Sequence, residues 1–181
     1  FLGERRFQDI PMAYLPKWLN WQRKHPNFKC VPVLSGAFRG DNPAELNDVD
    51  KEYFRSVSLE DKQLIKEQGL ADEQGNQWKG EVGFIGPLLR KYLSPDPNIM
   101  FYLCGPSPMT VTVIDAAANQ LNLTKENALF DDFTGTLTPS VDLIYQKLEI
   151  KEKIYSLNIP NADKLIEKIG HILIIQLILK D

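Results

Sequence analysis

Apolar residues fall into short blocks separated by turn-forming residues, and the blocks change kind along the chain. Phe1 to Gly3 reads as the tail of a strand, with Gly3 turning the chain. Asp9 to His25 reads as helical, with Trp18, Leu19 and Trp21 supplying apolar bulk that packs under a sheet. Pro11 suits a first turn, whereas Pro16 predicts a kink or restart, because proline lacks the N–H that an interior helical position donates. FKCVPVL, residues 28–34, is expected as a strand, and Pro32 within it predicts a weak or edge position.

Residues 36–79 are polar and irregular over a length unusual for a connection in a compact domain. This predicts a surface insertion at roughly 40–76 carrying one helix, Ser58 to Gln68. Ser58 can cap it, Asp61 follows three residues on, and Gly69 closes it. The charges through 45–73 read as a solvated face.

GFIGPLLRKYL (83–93) is an amphipathic, helix-like stretch. Ile99 to Leu103 is apolar without alternation, which predicts a strand buried on both faces. Pro108 to Leu121 then reads as a helix and Asn127 to Asp131 as the next strand. Strands alternating with helices predict an α/β fold with a parallel sheet.

Beyond Gly135 the texture changes to Lys, Ile, Leu and Glu, and a boundary is expected near Thr136. Residues 136–181 are expected as a helical tail, with helices at Ser140 to Leu157 and, capped by Asn161, at Asn161 to Ile169. The run HILIIQLIL (171–179) fits either a continued helix or a buried strand, because periodicity does not separate the two over that length.

Composition narrows the function classes. Of 181 residues, 43% are hydrophobic and 25% charged, which is globular rather than disordered. A formal charge of −3 gives no electrostatic footprint for nucleic acid. Two cysteines, Cys30 and Cys104, and two histidines, His25 and His171, form no metal-ligand spacing, so no metal site is expected. Each thiol reads as interior, and each histidine as a surface or core residue. No run reaches the roughly 20 apolar residues of a membrane span, so none is expected in this chain. FLGERRFQDI lacks the pattern of a signal peptide and begins without Met, which reads as a piece of a longer chain.

The informative motif is FYLCGPSPM, residues 101–109, a strand ending in Cys-Gly-Pro and passing at once into a helix. Ligands bind at the carboxyl ends of strands in parallel α/β sheets. Gly105 admits a close approach to the backbone, Pro106 fixes the turn, and the helix N-terminus offers N–H groups to a polar or anionic ligand. Cys104 at the strand tip is small and polarizable enough for a flat ring to rest against it.

This motif resembles the signature closing the nicotinamide-binding domain of ferredoxin–NADP reductase-like flavoproteins. WKGEVGFIGPLLRKYL (78–93) before it and ENALFDDFTG (126–135) after it resemble the F subunits of the sodium-translocating NADH:quinone oxidoreductases. FLGERRFQDIP and HPNFKCVPVLS are similar to two earlier strands of that family. The resemblance covers about residues 1–135, read as a partial NADH-binding domain of the ferredoxin-reductase type, truncated at its N-terminus. The family's Gly-rich phosphate turn with its central strand, its flavin barrel, its four-cysteine iron–sulfur domain and its membrane helix are not among these residues.

The resemblance implies site residues. Cys104 and Phe133 would be the catalytic pair, Cys104 beside the nicotinamide and Phe133 covering the flavin until nicotinamide displaces it. Gly105, Pro106 and Met109 would line the nicotinamide pocket. Gly83 and Phe84 would flank the pyrophosphate–nicotinamide crevice. Gly3 and Arg5 would face the adenosine side, with Ser35 near the adenine ribose. The family's Ala-Arg-Ser is Glu4-Arg5-Arg6 here, and Arg6 opens the alternative of a 2′-phosphate and hence NADPH. Asp131 and Asp132 read as capping or solvated groups, since hydride transfer needs no carboxylate pair.

The implied activity is hydride transfer from NADH to FAD, then electrons through a 2Fe–2S centre to quinone. FAD and the 2Fe–2S centre would be held mainly by upstream domains, which leaves the isolated chain inactive. The implied partners are other subunits of a membrane redox complex, at the cytoplasmic face of the bacterial inner membrane. Two alternatives stay open: the reductase component of an aromatic-ring oxygenase, and a non-catalytic interaction module derived from a reductase. Ile172 to Leu179 supplying a strand where the central one is missing is a further reading of the tail.

Overall fold

Proline and short polar caps decide where the elements begin. The structure is a computed structural model that describes all residues except 12, 37–45, 73–76, 134, 136 and 169–181. It divides into two compact units, Phe1–Ile85 and Gly86–Asp181.

In the first unit, β1 (Leu2–Glu4), β2 (Pro32–Leu34) and β3 (Glu81–Val82) form a parallel sheet in the order β1-β2-β3. Gly3 pairs with Val33, and Val33 with Glu81. Pro32 therefore lies in the central strand, not at an edge. It is tolerated because it is the strand's first residue, where a missing donor is least costly; the neighbouring ladder bond, from the Leu2 N–H to the Val31 carbonyl at 2.9 Å, does not use the Pro32 nitrogen. The expected helix over 9–25 is a 3-10 turn at Phe7–Asp9 followed by α1 (Leu15–Lys24). Pro16 lies in the first turn of α1 and so restarts the helix, as its missing N–H dictates.

In the segment read as a surface insertion, the described residues 46–72 differ most from a surface reading. They carry two helices, α2 (Asp48–Ser56) and α3 (Leu59–Glu67). Asn47 caps α2 and Ser58 caps α3, each accepting the N–H three residues on. Leu46, Phe54, Leu64, Ile65 and Leu70 join Phe7, Ile10, Leu15, Leu19 and Leu34 in one buried cluster. Phe7 meets Phe54 and Trp78, each with ring centroids 5.8 Å apart. Burying a Leu, Ile or Phe contributes about 1.5–3 kcal/mol, so this segment supplies core. Apart from the buried Asp50, its charges lie on the outward sides of helices whose inward sides are apolar. Trp21 does not pack under the sheet: it is 55% exposed, edge-on to Phe28, while Leu15 and Leu19 make the inward stripe of α1.

Helix α4 (Ile85–Tyr92) begins at the end of the first unit. In the second unit, β4 (Phe101–Leu103) and β5 (Ala128–Phe130) pair in parallel, Tyr102 opposite Leu129. The expectation of burial on both faces fails for β4, because Tyr102 is 78% exposed. Helix α5 (Ser107–Leu121) buries Val113, Ile114, Ala117, Ala118 and Leu121. It ends at Asn122, which takes the left-handed conformation at φ 57°. Helix α6 (Leu137–Ser156) packs on α5 and buries Leu137, Val141 and Ile144. The change of texture near Thr136 thus falls inside the second unit, and residues 162–168 form a further helical stretch.

The α/β class, the parallel strands and the helical C-terminal extension agree with the sequence, and the arrangement is consistent with a reductase-type nucleotide-binding domain. Among the described residues no helix is long and apolar enough to cross a membrane. His171, the run 171–179 and its reading as a replacement strand lie outside the described residues.

Candidate functional site

The Cys-Gly-Pro turn begins where the β4 ladder stops. Leu103 is the last residue of β4, and its carbonyl accepts the Asp131 N–H at 3.3 Å. Cys104 follows and is exposed, which corrects its reading as an interior thiol and leaves its sulfur open to a ligand. Gly105 has φ +157°. A Cβ there would stand 2.5 Å from the Met109 methyl carbon, so the glycine lets Met109 fold back over the turn.

Pro106 is the N-cap of α5, and no side chain caps that terminus. Met109 and Thr110 donate their N–H groups to the Pro106 carbonyl at 2.9 and 3.1 Å. Thr112 bonds through its hydroxyl to the Pro108 and Met109 carbonyls, both at 2.9 Å. The turn thus carries an exposed thiol, a side-chain-free backbone step and a helix N-terminus without a side-chain cap. Such a set suits a planar ring carrying polar groups.

Phe133 lies just past β5, 81% exposed. The residue before it is tied down. The Asp132 carboxylate accepts the Leu137 and Thr138 N–H groups at 3.2 and 2.9 Å and the Thr138 hydroxyl at 2.8 Å. These bonds, the Thr138 N–H first among them, hold its carboxyl down to about 2. Asp132 is therefore a cap for α6, in line with its sequence reading.

In the first unit the candidates sit at or beside the carboxyl ends of the parallel strands. Gly3 is the middle residue of β1, and a Cβ on it would meet the Ile85 side chain at 3.0 Å, so its openness serves packing. Arg5 follows β1 and is exposed. Ser35 follows β2 and donates both its N–H, at 2.8 Å, and its hydroxyl, at 3.1 Å, to the Glu4 carbonyl. The Glu4 carboxyl is raised by burial and then by the nearby Asp9 charge. Gly83 follows β3 at φ +125° and donates to the Leu34 carbonyl at 2.9 Å. Phe84 is next, 51% exposed.

Sequence reasoning missed Asp50. It lies in α2 with 2% exposure, and its Oδ2 is 3.8 Å from the Arg6 guanidinium. The available signal was the Asn47-x-x-Asp50 spacing of a capping box, whose acid faces inward here. Among the described residues no three His, Cys, Asp or Glu side chains converge as a metal site. A 2Fe–2S cluster asks for four thiolate or imidazole ligands on two irons, and among the described residues Cys30, Cys104 and His25 do not come together to supply them.

Comparison with known proteins gives partial matches. The chain is 35% identical over 89 residues to the Na(+)-translocating NADH-quinone reductase F subunit, from Marinomonas sp. (strain MWYL1), which covers 46% of this chain and 22% of that protein. It is 41% identical over 71 residues to the same reductase component of Psychrobacter arcticus, covering 36% of this chain and 17% of that protein. The counterpart in Serratia proteamaculans is 34% identical over 90 residues, 47% of this chain and 22% of its own length. These matches bear out the resemblance that the sequence carries, and they are to oxidoreductases. The chain spans about a fifth of the length of the curated relatives it matches. No protein-family model matches the chain. No solved structure matches it either.

Proposed function

We propose that this chain is the nicotinamide-dinucleotide-binding part of a flavoprotein reductase of the same kind as those F subunits. The observation that carries this reading is the exposed Cys104-Gly105-Pro106 turn at the carboxyl end of a parallel strand, opening onto an α5 terminus with no side-chain cap. The partial identity to the relatives supports it independently.

In this reading the second unit takes the nicotinamide. The ring rests against Cys104 and along Gly105, Pro106 and Met109, and the α5 N-terminus receives its polar groups. Phe133 offers a face to the flavin ring. Offset stacking is worth only about 0.5–1.5 kcal/mol, weak enough for nicotinamide to take its place. By the resemblance, Arg5 and Ser35 would face the adenosine side and Gly83 and Phe84 the pyrophosphate. Gly3 contributes by admitting Ile85.

Bound NADH supplies the hydride, and the residues here bind it and orient its ring. By the resemblance, the acceptor would be FAD, held mainly outside the residues of this chain. By the resemblance, a 2Fe–2S centre would be held outside this chain, whose described residues do not fit it, and the quinone-reducing, sodium-translocating complex would lie at the cytoplasmic face of the bacterial inner membrane. The isolated chain is accordingly a binding unit without turnover.

Titration calorimetry of the folded chain with NADH tests the reading. Saturable binding near one NADH per chain is expected. A folded chain that takes up no NADH overturns the reading and favours a non-catalytic interaction module.

A further inference from the structure

Asp50 is a buried carboxylate in a segment to which the dinucleotide reading gives no task. Burying a carboxylate is costly unless hydrogen bonds or an opposite charge compensate it. Its partners come largely from the loop that follows β1. Oδ1 accepts the Gln8 N–H at 3.0 Å. Oδ2 accepts the Asn47 N–H at 3.3 Å and lies 3.8 Å from the Arg6 guanidinium. The Arg6 N–H donates to the Asp9 carboxylate at 3.0 Å, which holds the backbone of the same turn.

The position of Arg6 gives this pair a consequence. It lies two residues beyond Glu4, the last residue of β1, at the carboxyl end of a parallel sheet. An arginine near the end of such a strand accommodates the 2′-phosphate that distinguishes NADPH from NADH. A guanidinium binds phosphate well when its fork of donors is directed at it. Here one nitrogen of the fork lies 3.8 Å from a buried carboxylate, an ion pair without a direct hydrogen bond. A 2′-phosphate approaching Arg6 would meet the field of that carboxylate and would have to replace its ion pair.

We infer that Asp50 is a specificity-determining residue: by holding the Arg6 guanidinium it withdraws that charge from a 2′-phosphate and selects NADH over NADPH. This rests on the dinucleotide reading and adds to it a residue from the 40–76 segment, which then acts as core and as selector. Asp50 is a positioning residue, acting through Arg6 and touching no dinucleotide.

The test is titration of the full chain with NADH and with NADPH, in the wild type, Asp50→Asn, Arg6→Gln and the double variant. Asn keeps an oxygen for the Gln8 N–H while removing the charge. The wild type is expected to bind NADH more tightly. Asp50→Asn is expected to tighten NADPH about tenfold, the worth of one charge-assisted hydrogen bond, with NADH nearly unchanged. Arg6→Gln is expected to cancel that gain in the double variant and to change little by itself, a result that a merely structural Asp50 would not produce.

A second measurement needs no variant. Adding 2′-AMP to 15N-labelled wild-type chain is expected to leave the Arg6 Nε–H resonance unmoved, and a saturable shift there overturns the inference. Wild-type chain that binds NADPH as tightly as NADH, or an Asp50→Asn variant with unchanged NADPH affinity, also overturns it. Wild-type chain that binds neither dinucleotide overturns the dinucleotide reading itself.

Discussion

Met109 folds back over Gly105, so close that a Cβ at residue 105 would stand 2.5 Å from the Met109 methyl carbon. The methyl is the free end of a flexible side chain and can move aside, so it is the φ of +157° that most favours glycine one residue past the strand-tip cysteine. Gly105→Ala is expected to push Met109 aside and to strain a backbone with φ +157°, destabilising the chain by about 1–3 kcal/mol. Urea unfolding monitored by circular dichroism measures it, and an unchanged midpoint would show that the turn tolerates a side chain.

Residues 46–72, the described part of the 40–76 segment, are expected to behave as core. Ile65 in α3 is fully buried, and Ile65→Ala should cost about 2–5 kcal/mol from lost burial and a residual cavity. An exposed α3 position, Leu59→Ala, should cost far less. Equal small losses for both would return the segment to a surface role.

That contrast shows what the sequence made legible. The order of β4, turn and α5 was legible because its signals are local: a short apolar run, then Gly-Pro, then helix-forming residues; the burial expected of Tyr102 and Cys104 was not, because it depends on what packs against them. The 40–76 segment did not, because Leu46, Phe54, Leu64 and Ile65 are sparse among charges and declare themselves only when the helices meet Phe7 and Leu15. The Glu81–Val82 strand is too short to show a period. Pro32 misled because its place at the start of β2 exempts it from the edge rule. Of the candidate residues, Cys104, Gly105 and Pro106 followed from the order of strand, turn and helix, whereas Gly3, Arg5, Ser35, Gly83, Phe84 and Phe133 came from the family resemblance. Asp50 depended on a tertiary contact with Arg6, which no local pattern encodes.

Asp132 makes the second unit sensitive to acid. Its carboxyl is held down to about 2 in the folded chain, against an ordinary 3.8. A depressed value means that the stabilisation is present above the ordinary value and is lost as pH falls from about 4 through about 2. Asp132→Ala is expected to lower the melting temperature at neutral pH and to flatten the acid limb between those values. Asp132→Asn, which keeps a capping oxygen, is expected to retain more of the stability. A melting profile that is the same in all three proteins would contradict the cap.

The two thiols should react at different rates. Cys104 is exposed, while Cys30 is half-buried and its thiol is pushed up by burial. Thiolate is the reactive form, so Cys104 is expected to be alkylated first and Cys30 slowly. Mass spectrometry of a timed iodoacetamide reaction distinguishes them, and faster labelling of Cys30 would contradict the placement of both.

The same reaction run with saturating NADH tests most directly whether the β4 turn receives the nicotinamide ring. Cys104 alkylation is expected to slow several-fold while Cys30 labelling stays unchanged. Cys104 labelling at its original rate, with NADH demonstrably bound, would contradict the account.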